Sequence, residues 1–119
     1  MNNLEQFFAC VGGNAKEVVG RLGGDPGLVI HFLSKFEKDG SFQNLCDALN
    51  NDDGETAFRA AHTMKGLCAT LGLQNLFEKS SAITEMLRGG GAIQPAKDAM
   101  PALKKEYDST IEALKRLNG

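Results

Sequence analysis

The stretch from about Gly54 to Leu71 constrains the fold more than any other part of the chain, because its apolar residues recur with a helical period. The stripe consists of Ala57, Ala61, Met64, Leu67, Cys68 and Leu71. Residues three and four positions apart share one face of a helix, so this stripe predicts one buried face and one solvent-facing side. Asp52, followed three residues later by Glu55, is typical of a capping box, with Asp52 as the N-cap. The segment therefore predicts a long amphipathic helix.

Capping residues and glycines divide the rest of the chain into further helices. Side chains of Ser, Asn and Asp accept hydrogen bonds from the free N–H groups at a helix start, and proline is tolerated at the first helical position. The predicted N-caps are Asn14, Asp25 (followed by Pro26), Ser41 and Asn75. The predicted ends fall near Gly23-Gly24, Gly40, Gly72 and Gly89-Gly90-Gly91. The last helix is predicted to kink at Pro101 or to begin there.

The sequence shows no strand-like alternation, internal repeat or low-complexity tract. Its 119 residues suffice for one domain with its own core, and short connections favour antiparallel neighbours. We therefore predict an all-α fold, an antiparallel up-and-down four-helix bundle with one or two additional N-terminal helices, in a single domain of residues 1–119. Residues 1–13 are either one of these helices, with Leu4, Phe7, Phe8 and Val11 on its apolar side, or an N-terminal extension left from a linker.

Composition and charge exclude several classes of function. The 13 basic and 15 acidic side chains give a net charge of −2, and no basic stretch is interleaved with aromatic residues, so nucleic-acid binding is not expected. The sequence shows no signal peptide or membrane-length apolar run, so no membrane partner is expected. Cys10, Cys46 and Cys68 have no paired spacing and are predicted to be reduced core residues rather than disulfides or metal ligands. These features predict a cytoplasmic protein.

His62 lies on the side of its helix that faces away from the apolar stripe. That side carries Glu55, Phe58, Arg59, His62, Lys65, Gly66 and Ala69. A glycine inside a helix costs ~1 kcal/mol relative to alanine, so Gly66 requires a packing or a functional reason. An exposed ring nitrogen with a flexible cation and bare backbone nearby favours a nucleophilic or phosphate-bearing imidazole. The alternative is a surface histidine with a chance lysine neighbour and a glycine placed for close helix packing.

The run A-A-H-T-M-K-G-L-C-A-T-L-G at residues 60–72 resembles the signature of histidine-containing phosphotransfer (Hpt) domains. The resemblance spans roughly residues 12–117. Further segments that follow the family's order and spacing are Arg21-Leu22-Gly23-Gly24-Asp25, Phe32-Leu33, Phe36, the stretch from Leu45 to Leu49 and the acidic turn before Glu55. The resemblance implies the same helical-bundle architecture that the helix pattern predicts.

The resemblance also implies a phosphorelay intermediate of two-component signal transduction. His62 is expected to accept a phosphoryl group from a receiver-domain phosphoaspartate, or from a histidine kinase pathway, and to pass it to another receiver domain. Lys65 is expected to screen its negative charge, and Gly66 to leave space for the receiver's active-site loops. Phe58, Arg59 and Ala69 are the candidate partner-binding residues.

The chain shows no glycine-rich phosphate loop, so no kinase site of its own is expected. No cofactor or metal is expected on this chain, and the resemblance implies Mg²⁺ on the partner receiver domain. The expected partners are receiver domains of response regulators or a hybrid histidine kinase. The protein is expected to be a monomer.

One position departs from the family pattern. Many members carry a Glu or Gln on the next helix that hydrogen-bonds the imidazole, and an ungapped count places this position at Thr84. Glu85 is expected to point about 100° around the helix from it. The orientation of His62 is therefore expected to be held less firmly, or by water.

Two other classes of function remain as alternatives. The first is a helical adaptor that binds a partner without phosphotransfer through the Phe58 and His62 face. The second, a hydrolytic or metal-dependent enzyme, would require clustered carboxylates or a second histidine facing the first, and it is not expected because the sequence shows neither. His31 lacks a lysine and a glycine at the matching offsets and is predicted to be a boundary residue.

Overall fold

The computed structural model describes residues 1–118, and these residues form helices joined by short connections. The described helices are α1 (Asn3–Cys10), α2 (Ala15–Arg21), α3 (Pro26–Glu37), α4 (Ser41–Asn50), α5 (Gly54–Leu71), α6 (Gln74–Leu87) and α7 (Ile93–Asn118). The predicted all-α bundle is confirmed, and no strand occurs in the described part of the chain. Gly119, the last residue of the predicted domain, lies outside the described residues. Within residues 1–118, no helix combines the length and the apolar character needed to cross a membrane.

The bundle is organised around α5, which packs most extensively against α6 and α4. Helix α7 packs on α6 and also contacts α1, α3 and α4. Phe58 of α5 meets Arg88 at the end of α6, whereas Lys65 of α5 meets Glu85. Because residue numbers rise along α6 as they fall along α5, the two helices are antiparallel.

The N-terminal segment is part of the hydrophobic core. Residues 3–10 form α1, and Leu4, Phe7, Phe8 and Val11 are all buried. Of the two alternatives for residues 1–13, a helix of the bundle or a linker extension, the structure supports the helix. The core continues through the bundle with the fully buried side chains of Leu33, Leu45, Met64, Leu73, Leu76, Ile83, Leu103 and Leu114.

The short helix α2 connects the N-terminal segment to the end of α5. The predicted caps of α2 and α3 are confirmed, because Asn14 and Asp25 each accept a hydrogen bond from a backbone N–H of their own first turn. At the other end of α2, Nη2 of Arg21 donates to the carbonyls of Ala69 and Thr70 over 3.3 and 3.2 Å. The last carbonyls of a helix have no partner within it, so Arg21 supplies one for the last turn of α5.

The predicted N-cap of α5 is wrong by one residue. Asp53 is the cap, and its Oδ1 atom accepts from the N–H of Thr56 over 3.1 Å. Asp52 has a φ of 54°, and its carboxylate pairs with Lys97 of α7 at 2.6 Å. Both aspartates are suitable caps by residue type, so the path of the turn decides between them.

Two other predicted caps are also wrong. Ser41 is the first residue of α4, and its N–H donates to Oδ1 of Asp39 over 2.9 Å. Asn75 is the second residue of α6, which has Leu73 in the capping position without a side-chain bond. Helix α7 begins at Ile93, so Pro101 does not mark its start. The apolar period locates these helices but does not determine the residue at which each begins.

The three cysteines are free, but they differ in exposure. Cys68 is buried and Cys46 is half-buried, whereas Cys10 is exposed at the end of α1. The prediction that all three are core residues is therefore wrong for Cys10. Residue 10 lies off the buried face that Leu4, Phe7, Phe8 and Val11 define, so the helical period of this segment itself places Cys10 towards solvent.

This difference predicts selective alkylation of the native protein. Burial raises the pKa of the Cys68 thiol to about 12, so its reactive thiolate is scarce at pH 8. Burial also raises the pKa of Cys46. With iodoacetamide at pH 8, we expect Cys10 to react first and Cys68 to stay unmodified, as read by peptide mass spectrometry. In urea all three should react, and fast native labelling of Cys68 would contradict its burial.

Candidate functional site

His62 lies in the middle of α5 with its side chain exposed, as the helical period predicted. The flanking core positions of the same helix are buried, including Ala61 and Met64. Helical geometry then directs residue 62 away from the bundle. The site is thus an imidazole on a rigid helix with an open side towards solvent.

Phe58 lies one turn before His62, and its ring supports the imidazole. The two rings are nearly parallel, with centroids 5.9 Å apart and an angle of 12° between their planes. Phe58 is half-buried and also packs against the hydrophobic core. The guanidinium carbon of Arg88 lies 5.2 Å from the centroid of the Phe58 ring, a cation–π contact. Phe58 therefore contacts the core, the imidazole of His62 and the guanidinium of Arg88. Its role in partner docking stays a prediction.

Glu85 forms ion pairs with two cations on this surface, Arg88 and Lys65. Arg88 donates two hydrogen bonds to its carboxylate, over 2.9 and 3.0 Å, and Nζ of Lys65 lies 3.9 Å from its Oε1 atom. The hydrogen bonds from Arg88 lower the pKa of Glu85, and the charges of Lys65 and His62 add to this effect. The carboxylate is therefore ionised at neutral pH and lies within Coulombic range of the imidazole.

The position that an ungapped count assigns to the orienting residue, Thr84, does not face His62, whereas Glu85 lies about 100° around α6 from it, as expected. Thr84 is buried on the core side of α6, where its hydroxyl donates to the Ser80 carbonyl over 2.7 Å. With Thr84 turned inwards, Glu85 lies at the boundary with α5, beside Lys65. The rotation of α6 about its own axis causes this placement, because its apolar stripe must face the core.

Arg88 is a residue of this surface that the sequence analysis did not identify. Its three-residue separation from Glu85 is a spacing that brings side chains together on a helix, and this was the available signal. Its contact with Phe58 carries no such signal, because the two residues lie on different helices.

Gly66 leaves an open place next to His62. A Cβ atom built on Gly66 would meet no atom within 4 Å among the described residues, and the residue is exposed. The alternative of a glycine placed for close helix packing is therefore unsupported. The helix carries the cost of an internal glycine without a packing gain, which favours an external group that approaches the backbone here.

The remaining candidates flank this surface. Arg59 is exposed and pairs with Glu55 at 2.9 Å, an exposed pair of small energetic value. It also lines an open polar cleft between α4 and α5. Ala69 is exposed in the last turn of α5. The structure thus brings His62, Phe58, Lys65 and Gly66 together and leaves Arg59 and Ala69 at the edges.

Comparison with known proteins identifies one match. A family model described as Hpt domain matches residues 28–115, which run from within α3 into α7 and include the whole of the site. No curated protein and no solved structure matches the chain.

Proposed function

This chain belongs to the Hpt domain family, and we propose that it is a phosphorelay intermediate that carries a phosphoryl group on His62. Membership implies histidine phosphotransfer in phosphorelays in general. The observation that supports the assignment to His62 is the exposed imidazole one turn before Gly66, where the backbone is open. A docked receiver domain would need that space.

The chemistry requires only an accessible nitrogen and nearby positive charge. A neutral imidazole has a free lone pair on one ring nitrogen, which attacks the phosphorus of a receiver's aspartyl phosphate. The N–P bond forms as the O–P bond breaks, and the aspartate leaves as a carboxylate. Transfer to a second receiver reverses these steps. Lys65 offsets charge on the phosphoryl oxygens, since phosphoryl transfer depends mainly on positioning and electrostatics.

The rest of the relay belongs to the partners in this proposal. The chain acts without kinase activity or a cofactor of its own, and Mg²⁺ is held by the receiver domain. The partners are receiver domains of response regulators, or a hybrid histidine kinase, which dock over Phe58, Arg59 and Ala69. The protein acts as a cytoplasmic monomer.

A transfer assay with the wild-type chain tests the proposal. The chain is incubated with a panel of radiolabelled phosphorylated receiver domains, and the labelled band is treated with acid and with base. We expect acid-labile, base-stable label that maps to the peptide containing His62. Receiver binding without any label, in a panel that includes the cognate receiver, would instead support the adaptor alternative.

Gly66 provides a second test that separates access from stability. Gly66→Ala is expected to raise the free energy of unfolding by about 0.5–1 kcal/mol, because its Cβ meets no atom within 4 Å. Gly66→Gln is expected to fold normally but to slow transfer from the receiver about tenfold or more, since its side chain fills the approach. Urea unfolding and initial rates of label transfer measure the two effects.

Gly20→Gln is the matched control for this variant. Gly20 lies within α2, is exposed, and likewise has no atom within 4 Å of a built Cβ. Its substitution should leave the transfer rate unchanged. Equal transfer rates for Gly66→Gln and the wild type would show that the receiver does not approach this backbone.

A further inference from the structure

Glu85 pairs with the two cations on the His62 surface, Lys65 and Arg88. Its carboxylate accepts two hydrogen bonds from Arg88 and lies 3.9 Å from Nζ of Lys65, which follows His62 by one helical turn. One anion therefore lies between the cation next to the imidazole and a second cation at the end of α6. A phosphoryl group on His62 would meet two cations that already have a partner.

Arg88 is connected to His62 by a second contact. Its guanidinium lies over the ring of Phe58, the same ring on which the imidazole stacks. The side chains of Arg88 and Glu85 are 51% and 56% exposed, so neither is held by surrounding core. Arg88 can therefore turn from Glu85 towards a group on His62 while it stays against Phe58.

We propose that Glu85 is the counter-ion of the unphosphorylated site, and that a phosphoryl group on His62 displaces it from Arg88 and Lys65. The inference rests on the proposed function, because it concerns the phosphorylated form of His62. A phosphoryl group brings about two negative charges at pH 7 and strong acceptor oxygens. Glu85 competes with it for the same cations and destabilises the phosphorylated form, whereas Arg88 stabilises that form. The two residues thereby set how the phosphoryl group divides between His62 and a receiver.

The equilibrium of one transfer step measures this effect directly. In that step the N–P bond to His62 forms as the O–P bond to the receiver's aspartate breaks. The aspartate leaves as a carboxylate, and the proton on the second ring nitrogen of His62 stays in place. The equilibrium ratio concerns the separate proteins before and after transfer, so contacts within the complex do not alter it. A change in the ratio caused by a variant of this chain reports on the surroundings of His62 itself.

The experiment compares Glu85→Gln and Arg88→Gln with the wild type and one cognate receiver. Glu85→Gln is expected to shift the ratio about threefold towards phosphorylated His62, and Arg88→Gln about threefold towards the receiver, as for other exposed ion pairs. Both shifts should shrink at high salt, because exposed charges are screened. Glu112→Gln is the matched control, since Glu112 pairs with Arg116 at 3.5 Å on the surface of α7.

The signs of the shifts decide the outcome. A purely structural role would move both variants in the same direction, and that result overturns the inference. An unchanged ratio in Glu85→Gln also overturns it. If wild-type His62 takes no label from any receiver, the proposed function fails together with this inference, whereas labelled wild type with an unshifted Glu85→Gln rejects this inference alone.

Discussion

Replacement of His62 with glutamine is expected to abolish phosphoryl acceptance, with a fall in label of at least ~1,000-fold. The amide nitrogen of glutamine has a delocalised lone pair and is a poor nucleophile for phosphorus. The second histidine cannot substitute, because His31 lies on α3 and not on the surface formed by α5 and α6. The measurement is the amount of acid-labile label transferred from a phosphorylated receiver.

The fold should tolerate this change. His62 is exposed, and its described aromatic contact is the stack on Phe58, so we expect the free energy of unfolding to change by about 0.5 kcal/mol or less. His31→Gln is the matched control, because His31 is also exposed and also lies beside a phenylalanine. It should keep full label. Undiminished label on His62→Gln would place the phosphoacceptor elsewhere.

Replacement of Gly72 with alanine is expected to cost about 3 kcal/mol of stability. Gly72 ends α5 with a φ of 68°, in the left-handed region that costs other residues roughly 1–2 kcal/mol. A Cβ atom at this position would also overlap the buried side chain of Val18, and overpacking adds about 1–3 kcal/mol. We expect a lower urea midpoint and a melting temperature lower by roughly 10–15 °C.

Gly90→Ala separates the two causes. Gly90 has a φ of 80°, but a Cβ built there would meet no atom within 4 Å among the described residues. Its substitution should cost only the backbone strain, about 1–2 kcal/mol. Equal losses for Gly72→Ala and Gly90→Ala would mean that Val18 moves aside without cost and that the joint between α2 and α5 is loosely packed.

The placement of His62 could be predicted from sequence because it depends on one helix alone. The period of Ala57, Ala61, Met64 and Cys68 defines the buried side of α5, so the exposed side follows from helical geometry. The same local argument does not extend to the cap of this helix. Asp52 and Asp53 are chemically equivalent caps, and the turn that sends Asp52 towards Lys97 makes Asp53 the cap.

The partners of His62 on α6 could not be predicted in the same way. An ungapped count places the orienting residue at Thr84, yet Thr84 is buried and Glu85 pairs with Lys65. The contact of Arg88 with Phe58 joins two helices, and the pattern within each helix does not describe how far one is shifted along the other. Only the packing of α6 on α5 places these charges near the imidazole.

The sequence by itself determined the all-α class, the approximate extent of each helix, the exposed position of His62 and the resemblance to the Hpt family. These features depend on backbone periodicity and residue type within short segments. The tertiary structure alone decided which α6 side chains face His62, that α1 is part of the core, and that Gly66 has open space while Gly72 has none. The physical reason is that the rotation and translation of one helix on another minimise the packing energy of the whole core, to which residues distant in sequence all contribute.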